Sequence, residues 1–244
     1  MRFTSEQRLD GDLLERGFTL GDVPGFLWTP EPAAAPAPLI LLGHPPLGLA
    51  RMYPALLARA RQAAADGFAT ATIELPGSGD RPRLPELDRA RAELRRTMEA
   101  GEPVGPAIVD ALILPLVDRT VPEWQAALDA LLDLPGLRGP VGYSGGVIAV
   151  GTRLAAVDPR IEAAVLFAGS FVPAATVEEA RRVGIPLHVL LQWDDEGNDR
   201  QASLALFDAF GSREKTLNAN MGGHTGVPAF AGEAAARFFT RHLK

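Results

Sequence analysis

A five-residue run, Gly142-Tyr143-Ser144-Gly145-Gly146, contains the serine best suited to do chemistry in this chain. The run follows the G-x-S-x-G pattern, in which a serine sits on a sharp turn between a strand and a helix with its hydroxyl exposed. Glycines flank such a serine because larger side chains would collide with neighbouring backbone. The first N–H groups of the following helix can stabilise an oxyanion. The run therefore indicates a nucleophile, Ser144, against the alternative of an ordinary glycine–serine loop.

A nucleophilic serine needs a general base, and histidine is the usual one. The chain has four histidines. His188 lies within an apolar run, His242 lies near the chain end, and His44 lies upstream of the serine. His224 lies in the glycine-rich stretch Met221–Gly226, and such a loop can bring an imidazole over a serine. His224 is therefore the favoured base, and the alternative is an exposed loop histidine with no role in catalysis.

Three adjacent acids, Asp194-Asp195-Glu196, are candidates for the carboxylate that orients the histidine. They follow the apolar run Leu187–Leu191 and lie between Ser144 and His224 in the sequence. The order serine, acid, histidine matches the order used by enzymes with this serine turn. The alternative is a solvated acidic turn, because carboxylates are mostly exposed. These residues alone leave the choice among the three acids open.

The elements that must position these residues alternate between strands and helices. Strands are predicted at Glu15–Leu20, Val23–Thr29, Leu39–Leu42, Ala69–Leu75, Gly139–Val141, Ala163–Phe167, Leu187–Leu191 and Glu214–Asn218. Helices are predicted at Tyr53–Asp66, Pro122–Leu132, Val147–Val157, Thr176–Val183, Gln201–Phe210 and Glu233–His242. The Ala- and Pro-rich stretch Glu31–Pro38 is expected to be a surface connection. The alternation predicts the α/β class, with a mainly parallel, doubly wound sheet and helices on both faces. Functional groups of such sheets gather at the carboxyl ends of the strands.

An insertion of about residues 81–119 interrupts this alternation of strands and helices. Leu84–Ala100 is predicted to be a helix, and Val104–Val117 is apolar on nearly all sides and broken by Pro106 and Pro115. One interpretation is a lid or pocket wall that contacts an apolar part of a substrate. The other is a helix pair that packs on the sheet edge.

Composition excludes several classes of function. The formal net charge is −6, whereas proteins that bind nucleic acid or anionic membranes normally carry a basic patch. The chain has no cysteine, which excludes disulfides, a thiol nucleophile and thiolate metal sites. It has no apolar stretch long enough to span a membrane, and the polar segment Met1–Gln7 lacks the apolar core of a signal peptide. We therefore expect a single domain over residues 1–244 that is cytoplasmic, with no metal, cofactor, nucleic-acid or membrane partner.

The chain resembles the α/β-hydrolase superfamily over nearly its whole length. The segments that carry the resemblance are Leu42-Gly43-His44-Pro45, Glu74–Asp80, Gly142–Gly146, Trp193–Glu196 and Gly222-Gly223-His224. It is most similar to compact bacterial esterases and dienelactone hydrolases, although the latter use a cysteine nucleophile. The resemblance implies a cofactor-independent serine hydrolase that acts on a small-molecule ester or thioester. The alternatives are an acyltransferase or lyase-type member and a non-catalytic ligand-binding protein of the same fold.

The resemblance also narrows the choice of acid. The acid of the family typically follows its strand in a G-x-x-D-E-like pattern, and aligning Gln192 with that glycine selects Asp195 over Asp194. Some relatives place the acid after the preceding strand, but that junction reads Ala168-Gly169-Ser170 here and has no carboxylate. The implied triad is therefore Ser144, which forms an acyl-enzyme, with His224 as base and Asp195 as the orienting acid.

The oxyanion hole is the point at which the chain departs from the family. The implied donors are the N–H of Gly145 and an N–H from the loop after the first parallel strand, which normally reads His-Gly-x. Here the loop reads His44-Pro45-Pro46, and proline has no N–H to donate. The second donor is therefore expected at Leu47 or the residue after it, and losing one donor costs about a hundred- to a thousandfold in rate. The residues expected to line the substrate pocket are His44, Pro45, Tyr143 and Trp193.

Overall fold

A computed structural model describes residues 1–10, 12–31 and 36–244. Its strands are β1 (Arg2–Leu9), β2 (Leu13–Leu20), β3 (Val23–Pro30), β4 (Ala37–Gly43), β5 (Ala69–Ile73), β6 (Leu137–Gly145), β7 (Ile161–Phe167), β8 (Leu187–Gln192) and β9 (Lys215–Asn220). Its helices are α1 (Leu49–Ala65), α2 (Pro85–Glu99), α3 (Pro106–Leu132), α4 (Ile148–Val157), α5 (Ala174–Ala180), α6 (Arg200–Ala209) and α7 (Ala229–Leu243). Half of the predicted connection Glu31–Pro38, residues 32–35, lies outside the described residues. None of the described helices is long and apolar enough to cross a membrane.

The described strands form one sheet in the order β1-β2-β3-β5-β4-β6-β7-β8-β9. The first four strands in this order pair antiparallel, and every pair from β5 to β9 is parallel. The predicted α/β class with a mainly parallel sheet is confirmed. The carboxyl ends of the parallel strands meet at one edge, which is where the loops after β4, β6, β8 and β9 lie.

Each face of the sheet has its own hydrophobic core. Helices α1 and α7 cover one face, where Ile40 and Leu42 pack with Phe239. Helices α2 to α6 cover the other face, where Leu41 and Tyr143 belong to the core. Side chains of neighbouring strand residues point to opposite faces of a sheet. The side chains of Tyr143 and Ser144, neighbours in β6, therefore point to different faces.

Two elements differ from the sequence prediction. Strand β1 lies at the edge of the sheet, and it was not predicted because its residues are exposed on both faces and show no alternation. Helix α3 is continuous over 27 residues, although Pro115 and Pro122 lie inside it and the first of them was expected to break it. Nine residues of α3 are buried, and that packing outweighs the hydrogen bonds lost at the prolines.

Candidate active site

His224 and Asp195 form a hydrogen-bonded pair at the carboxyl edge of the sheet. Asp195 follows β8, His224 lies in the loop after β9, and the parallel pairing of these strands brings the two loops together. Nδ1 of His224 lies 2.7 Å from Oδ2 of Asp195. The carboxylate side chain is 4% exposed and the imidazole is 54% exposed. A carboxylate at Nδ1 holds the proton there and leaves Nε2 able to accept another from solvent or substrate.

Further hydrogen bonds fix the carboxylate of Asp195. The side-chain amide of Asn198 donates to Oδ2, and the N–H of Gly197 donates to Oδ1 at 3.0 Å. Partial burial acts to raise the pKa of Asp195, but the bonds from His224, Asn198 and Gly197 outweigh it and hold this pKa below the usual range. Asp195 is therefore charged at neutral pH and holds the proton on Nδ1 of His224.

Asp194 has a different task from Asp195. Its Oδ1 accepts the N–H groups of Gly222 at 2.7 Å and Gly223 at 2.9 Å. The bond from Gly223, and after it the bond from Gly222, contributes most to holding the pKa of Asp194 below its usual range. Gln192 donates from Nε2 to the carbonyl of Gly223 at 2.7 Å. Asp194 and Gln192 thus tie the loop that carries His224 to the end of β8.

Ser144 does not contact this pair. Strand β6 continues through Ser144, which pairs with Leu42 of β4 and Val165 of β7. Its side chain faces α1, and Nη2 of Arg59 donates to its Oγ at 3.1 Å. Within residues 1–10, 12–31 and 36–244, no hydrogen bond joins Ser144 to His224. The structure thus brings together the predicted acid and base and leaves the predicted nucleophile bonded to Arg59, on the face of the sheet that α1 and α7 cover.

The turn expected at Ser144 lies at the two glycines after it. Gly145 and Gly146 have φ angles of +75° and +72°, and Val147 precedes the first turn of α4. A Cβ atom on Gly146 would lie 2.8 Å from the backbone nitrogen of His44, so only glycine fits at this close approach. In this structure the turn therefore begins one residue after Ser144, because glycine adopts the left-handed conformation more easily than serine does.

Two cavities meet at this edge. The large cavity, of about 1220 Å³, is the one onto which the His224–Asp195 pair opens. Its described hydroxyl side chains are Ser170 and Thr225, and Oγ of Ser170 is buried without a hydrogen-bond partner. Other residues of its wall include Pro45, Leu94, Leu112, Gly146, Val147 and Phe167. The small cavity, of about 250 Å³, lies between α1 and α7 and is the one that Ser144 lines.

The two expected oxyanion donors, Leu47 and Gly145, have different surroundings. In this structure the N–H of Leu47 donates to the carbonyl of Pro45 at 2.7 Å and its side chain is exposed, so its role as the second donor stays a prediction. Gly145 lines both cavities, and its role as a donor stays a prediction. His44 lines the large cavity, but its ring nitrogens lie 2.8 Å from the carbonyl of Pro45 and 2.9 Å from that of Ile73. His44 therefore holds its own loop against β5.

Two of the expected pocket residues lie elsewhere. Tyr143 is fully buried on the opposite face, with its ring 6.5 Å from that of Trp124 and nearly perpendicular to it. Burial raises the pKa of this phenol, and the strand alternation that carries Ser144 to one face carries Tyr143 to the other. Trp193 is 39% exposed and lies under the guanidinium of Arg200, 4.3 Å from the ring centre. Neither residue lines the large cavity in this structure.

Three residues near the site escaped the sequence prediction. Phe167 packs edge-on to the imidazole of His224, with ring centres 5.6 Å apart. Asn198 fixes Asp195, as described above, and Arg59 holds Ser144. Only Asn198 left a signal, since it lies in a Gly-Asn-Asp turn. Nothing in the Ala-rich sequence of α1 separates Arg59 from the exposed Arg61.

A metal site is not visible in the described part of the chain. No group of three or more His, Asp or Glu residues among residues 1–10, 12–31 and 36–244 is placed to hold a metal ion.

The comparisons with known proteins give relatives among solved structures. The chain is 30% identical to a cold-adapted esterase from an Arctic intertidal metagenomic library, with a TM-score of 0.77 and 100% of both chains covered. It is 16% identical to an acetyl xylan esterase from Paenibacillus sp. R4, with a TM-score of 0.67 over 99% of this chain and 88% of that one. It is 14% identical to a protein of Klebsiella pneumoniae subsp. pneumoniae MGH 78578 provisionally assigned as a dienelactone hydrolase, with a TM-score of 0.67 over 94% and 99% of the two chains. No family model and no curated protein matches the chain. The last two relatives share the fold, and the first shares sequence as well.

Proposed function

Because the chain belongs to the α/β-hydrolase superfamily, we propose that it hydrolyses a carboxylic ester or thioester in the large cavity, with His224 as the base. The observation that carries this proposal is the 2.7 Å contact between Nδ1 of His224 and the buried carboxylate of Asp195. The pair stands at the carboxyl edge of the parallel sheet and opens onto a cavity of about 1220 Å³. An imidazole held in this way, in the wall of a partly apolar cavity, is suited to take and return a proton.

In the proposed mechanism, Ser144 is the nucleophile. Its Oγ attacks the acyl carbonyl while its proton passes to Nε2 of His224. The bond to the leaving group breaks, and His224 returns the proton to the departing alkoxide or thiolate. Water, deprotonated by His224, then attacks the acyl carbon, the bond to Oγ breaks, and His224 returns the proton to Oγ as the carboxylic acid leaves. Asp195 stabilises the imidazolium in both steps, and the N–H of Gly145 is the proposed donor to the oxyanion.

This mechanism requires Ser144 to change partners. Its Oγ must leave Arg59, turn away from the small cavity and approach Nε2 of His224. Gly145 and Gly146 provide the hinge, because glycine populates positive and negative φ about equally well. We infer that the end of strand β6 has a second conformation. In that conformation the turn lies at Ser144, as in other members of the superfamily with the G-x-S-x-G pattern.

A non-catalytic, ligand-binding role is the second candidate function. It is favoured by the side chain of Ser144, which faces Arg59 and the small cavity, and by Pro45, which removes a donor from the oxyanion loop. In that role the large cavity holds a ligand, and the pair of His224 and Asp195 contributes a hydrogen bond to it.

The two candidates separate in one set of measurements. We would label the protein with a fluorophosphonate probe, locate the adduct by peptide mass spectrometry, and measure hydrolysis of p-nitrophenyl acetate and an acetyl thioester. The variants are Ser144→Ala, Ser170→Ala and His224→Ala. Ser170→Ala is the matched control, because Ser170 is the serine that already lines the large cavity. Circular dichroism checks that each variant is folded.

The proposal predicts an adduct on Ser144, and loss of hydrolysis in Ser144→Ala and His224→Ala by about a hundredfold or more, with Ser170→Ala near wild type. Hydrolysis that survives Ser144→Ala but not His224→Ala would keep the base and reject the acyl-enzyme on Ser144. An adduct on Ser170 would move the nucleophile to that residue. A folded wild-type protein with no adduct and no hydrolysis would favour the ligand-binding role.

A further inference from the structure

The small cavity combines an apolar wall with a cation. Arg59 projects from α1 to the end of β6, where it donates from Nη1 to the carbonyl of Gly43 at 2.9 Å. Its Nη2 donates to the carbonyl of Ser144 at 2.6 Å and to Oγ of the same residue at 3.1 Å. A guanidinium has five N–H donors, so these contacts leave donors available. Oγ of Ser144 accepts a bond here, and its own proton is available to donate.

No carboxylate neutralises this guanidinium. Among the described residues, which include every Asp and Glu of the chain, none lies within ion-pair distance of Arg59. Burial lowers the pKa of Arg59 to about 10, so the side chain is still charged at neutral pH. Charges taken out of water are normally paired, because an isolated one costs several kcal/mol. An unpaired cation that lines a cavity is therefore suited to receive an anion.

The rest of the cavity is built for a hydrocarbon chain. Its floor is the sheet face at Leu42 and Val165, and its far wall is a face of α7 that carries small residues such as Ala235 and also Phe239. Its volume is about 250 Å³, which holds roughly eight heavy atoms if each takes about the 30 Å³ of a water molecule in the liquid. A cavity of this size with a mostly apolar wall suits a short aliphatic chain.

One acid also lines the cavity. Asp66 caps the carboxyl end of α1, seven residues after Arg59, and therefore lies about 10 Å further along the helix axis. Gln62 lies between them on the same helix. An anion at Arg59 is thus separated from Asp66 by two turns of helix, and the charged group of a ligand is directed to the Arg59 end.

From these contacts we infer that the small cavity is a binding site for a short-chain aliphatic monocarboxylate, whose carboxylate bonds to Arg59 and Ser144 and whose chain lies against α7. This site lies beside the large cavity and includes Ser144, but the binding of a carboxylate there does not require the proposed hydrolysis of an ester. Arg59, Gly145, Phe167 and Val227 line both cavities, so the carboxylate site adjoins the proposed reaction site through a shared wall.

The test is calorimetric titration of the protein with hexanoate, which has eight heavy atoms, and with 1-hexanol and hexylammonium as matched chains without the negative charge. Two variants probe the site from its two ends. Arg59→Met removes the cation, and Ala235→Leu fills the apolar wall. Ala234→Leu, the neighbouring residue on α7 that does not line the cavity, is the control for Ala235→Leu. Leu94→Trp narrows the large cavity and reports binding there.

We expect saturable binding of hexanoate at one site, and no such binding of hexanol or hexylammonium. Arg59→Met and Ala235→Leu each weaken it by about tenfold or more, whereas Ala234→Leu and Leu94→Trp leave it within about twofold of wild type. No binding to wild type overturns the inference, and so does weakening by Leu94→Trp alone, which assigns the acid to the large cavity. If Arg59→Met does not fold, Ala235→Leu against Ala234→Leu decides. Failure here with intact ester hydrolysis rejects the carboxylate site alone.

Discussion

Asp194 and Asp195 are adjacent in sequence and contact different parts of the loop that carries His224. Asp195 contacts the imidazole of His224, whereas Asp194 accepts two backbone N–H groups of the loop that carries it. We expect Asp195→Asn to lower kcat of ester hydrolysis by about a hundred- to ten-thousandfold, because an amide cannot stabilise the imidazolium. Asp194→Asn should lower it only about tenfold, because it loosens the loop without removing the partner of His224.

The control for this pair is Glu196→Gln, which removes the third and exposed acid of the run. Its kcat is expected to equal that of wild type. Equal losses in Asp194→Asn and Asp195→Asn would show that the 2.7 Å contact of Asp195 has no catalytic role beyond holding the loop. The measurement is steady-state hydrolysis of p-nitrophenyl acetate across pH 5 to 9, because only a change at the base alters the pH profile.

For single residues, the sequence predicts which side chains come close together better than it predicts the sheet face to which a side chain points. Asp195 and His224 could be predicted together because both follow neighbouring parallel strands, whose ends meet at one edge. The side chain of Ser144 could not be placed, because one residue more of strand sends a side chain to the other face. The glycines after it allow the turn at either position, and a pattern of residue types does not choose between them. Arg59 could not be predicted at all, since its partners are carbonyls and a hydroxyl far away in sequence.

At the scale of elements, α2 and α3 form a wall of the large cavity. Both helices contribute to it, through residues such as Leu94 and Leu112. We expect Leu94→Trp to narrow the cavity and so to lower kcat/KM for p-nitrophenyl octanoate at least tenfold relative to the acetate, which needs less room. Met98→Trp is the control, since Met98 is 56% exposed on the same helix and does not line the cavity. An unchanged ratio in Leu94→Trp would mean that these helices only cover the sheet.

Helix α3 carries prolines that its packing tolerates. Pro122 is exposed in the middle of the helix, where proline lacks an N–H and crowds the preceding turn. We expect Pro122→Ala to raise the free energy of unfolding by about 1–3 kcal/mol, measured by urea denaturation. Pro106→Ala, in the first turn where no N–H is needed, should change it by less than about 0.5 kcal/mol. A loss of stability in Pro122→Ala would show that the proline bends α3 into the shape that the sheet requires.

For the whole molecule, the parallel half of the sheet was predictable and the antiparallel edge was only partly so. Strands such as β4 are buried along their full length, and a continuous apolar run marks them. Strand β1 is exposed along both faces and pairs on one side alone, so backbone pairing with β2 rather than side-chain burial forms it. The continuity of α3 depends on buried contacts with the sheet, which a local pattern with two prolines does not contain.

We expect stability at low pH to depend on the carboxylate of Asp158, which helps to link two helices to the sheet. Asp158 ends α4, and its buried side chain accepts bonds from the backbone N–H, Nε and Nη2 of Arg160 at 3.1, 2.9 and 2.7 Å. Arg160 also contacts Asp129 of α3, so the pair links two helices to the start of β7. Burial alone acts to raise the pKa of Asp158, but the bonds from Arg160 outweigh it and lower that pKa from its ordinary value of 3.8.

The sign of the pH effect follows from this lowered pKa. The unfolded chain binds a proton at Asp158 at a higher pH than the folded protein does, so the contribution of Asp158 to stability is present above pH 3.8 and is lost as pH falls through the folded pKa. We expect Asp158→Asn to lower the free energy of unfolding by about 2 kcal/mol at pH 7, and this difference from wild type to shrink steadily when urea denaturation is repeated from pH 4 down to pH 2.5. Asp133→Asn, at an exposed position with no ion pair among the described residues, should match wild type at every pH. A difference that stays constant from pH 7 to pH 2.5 would mean that Asp158 acts through its shape and neutral hydrogen bonds, and that its charge does not join these layers.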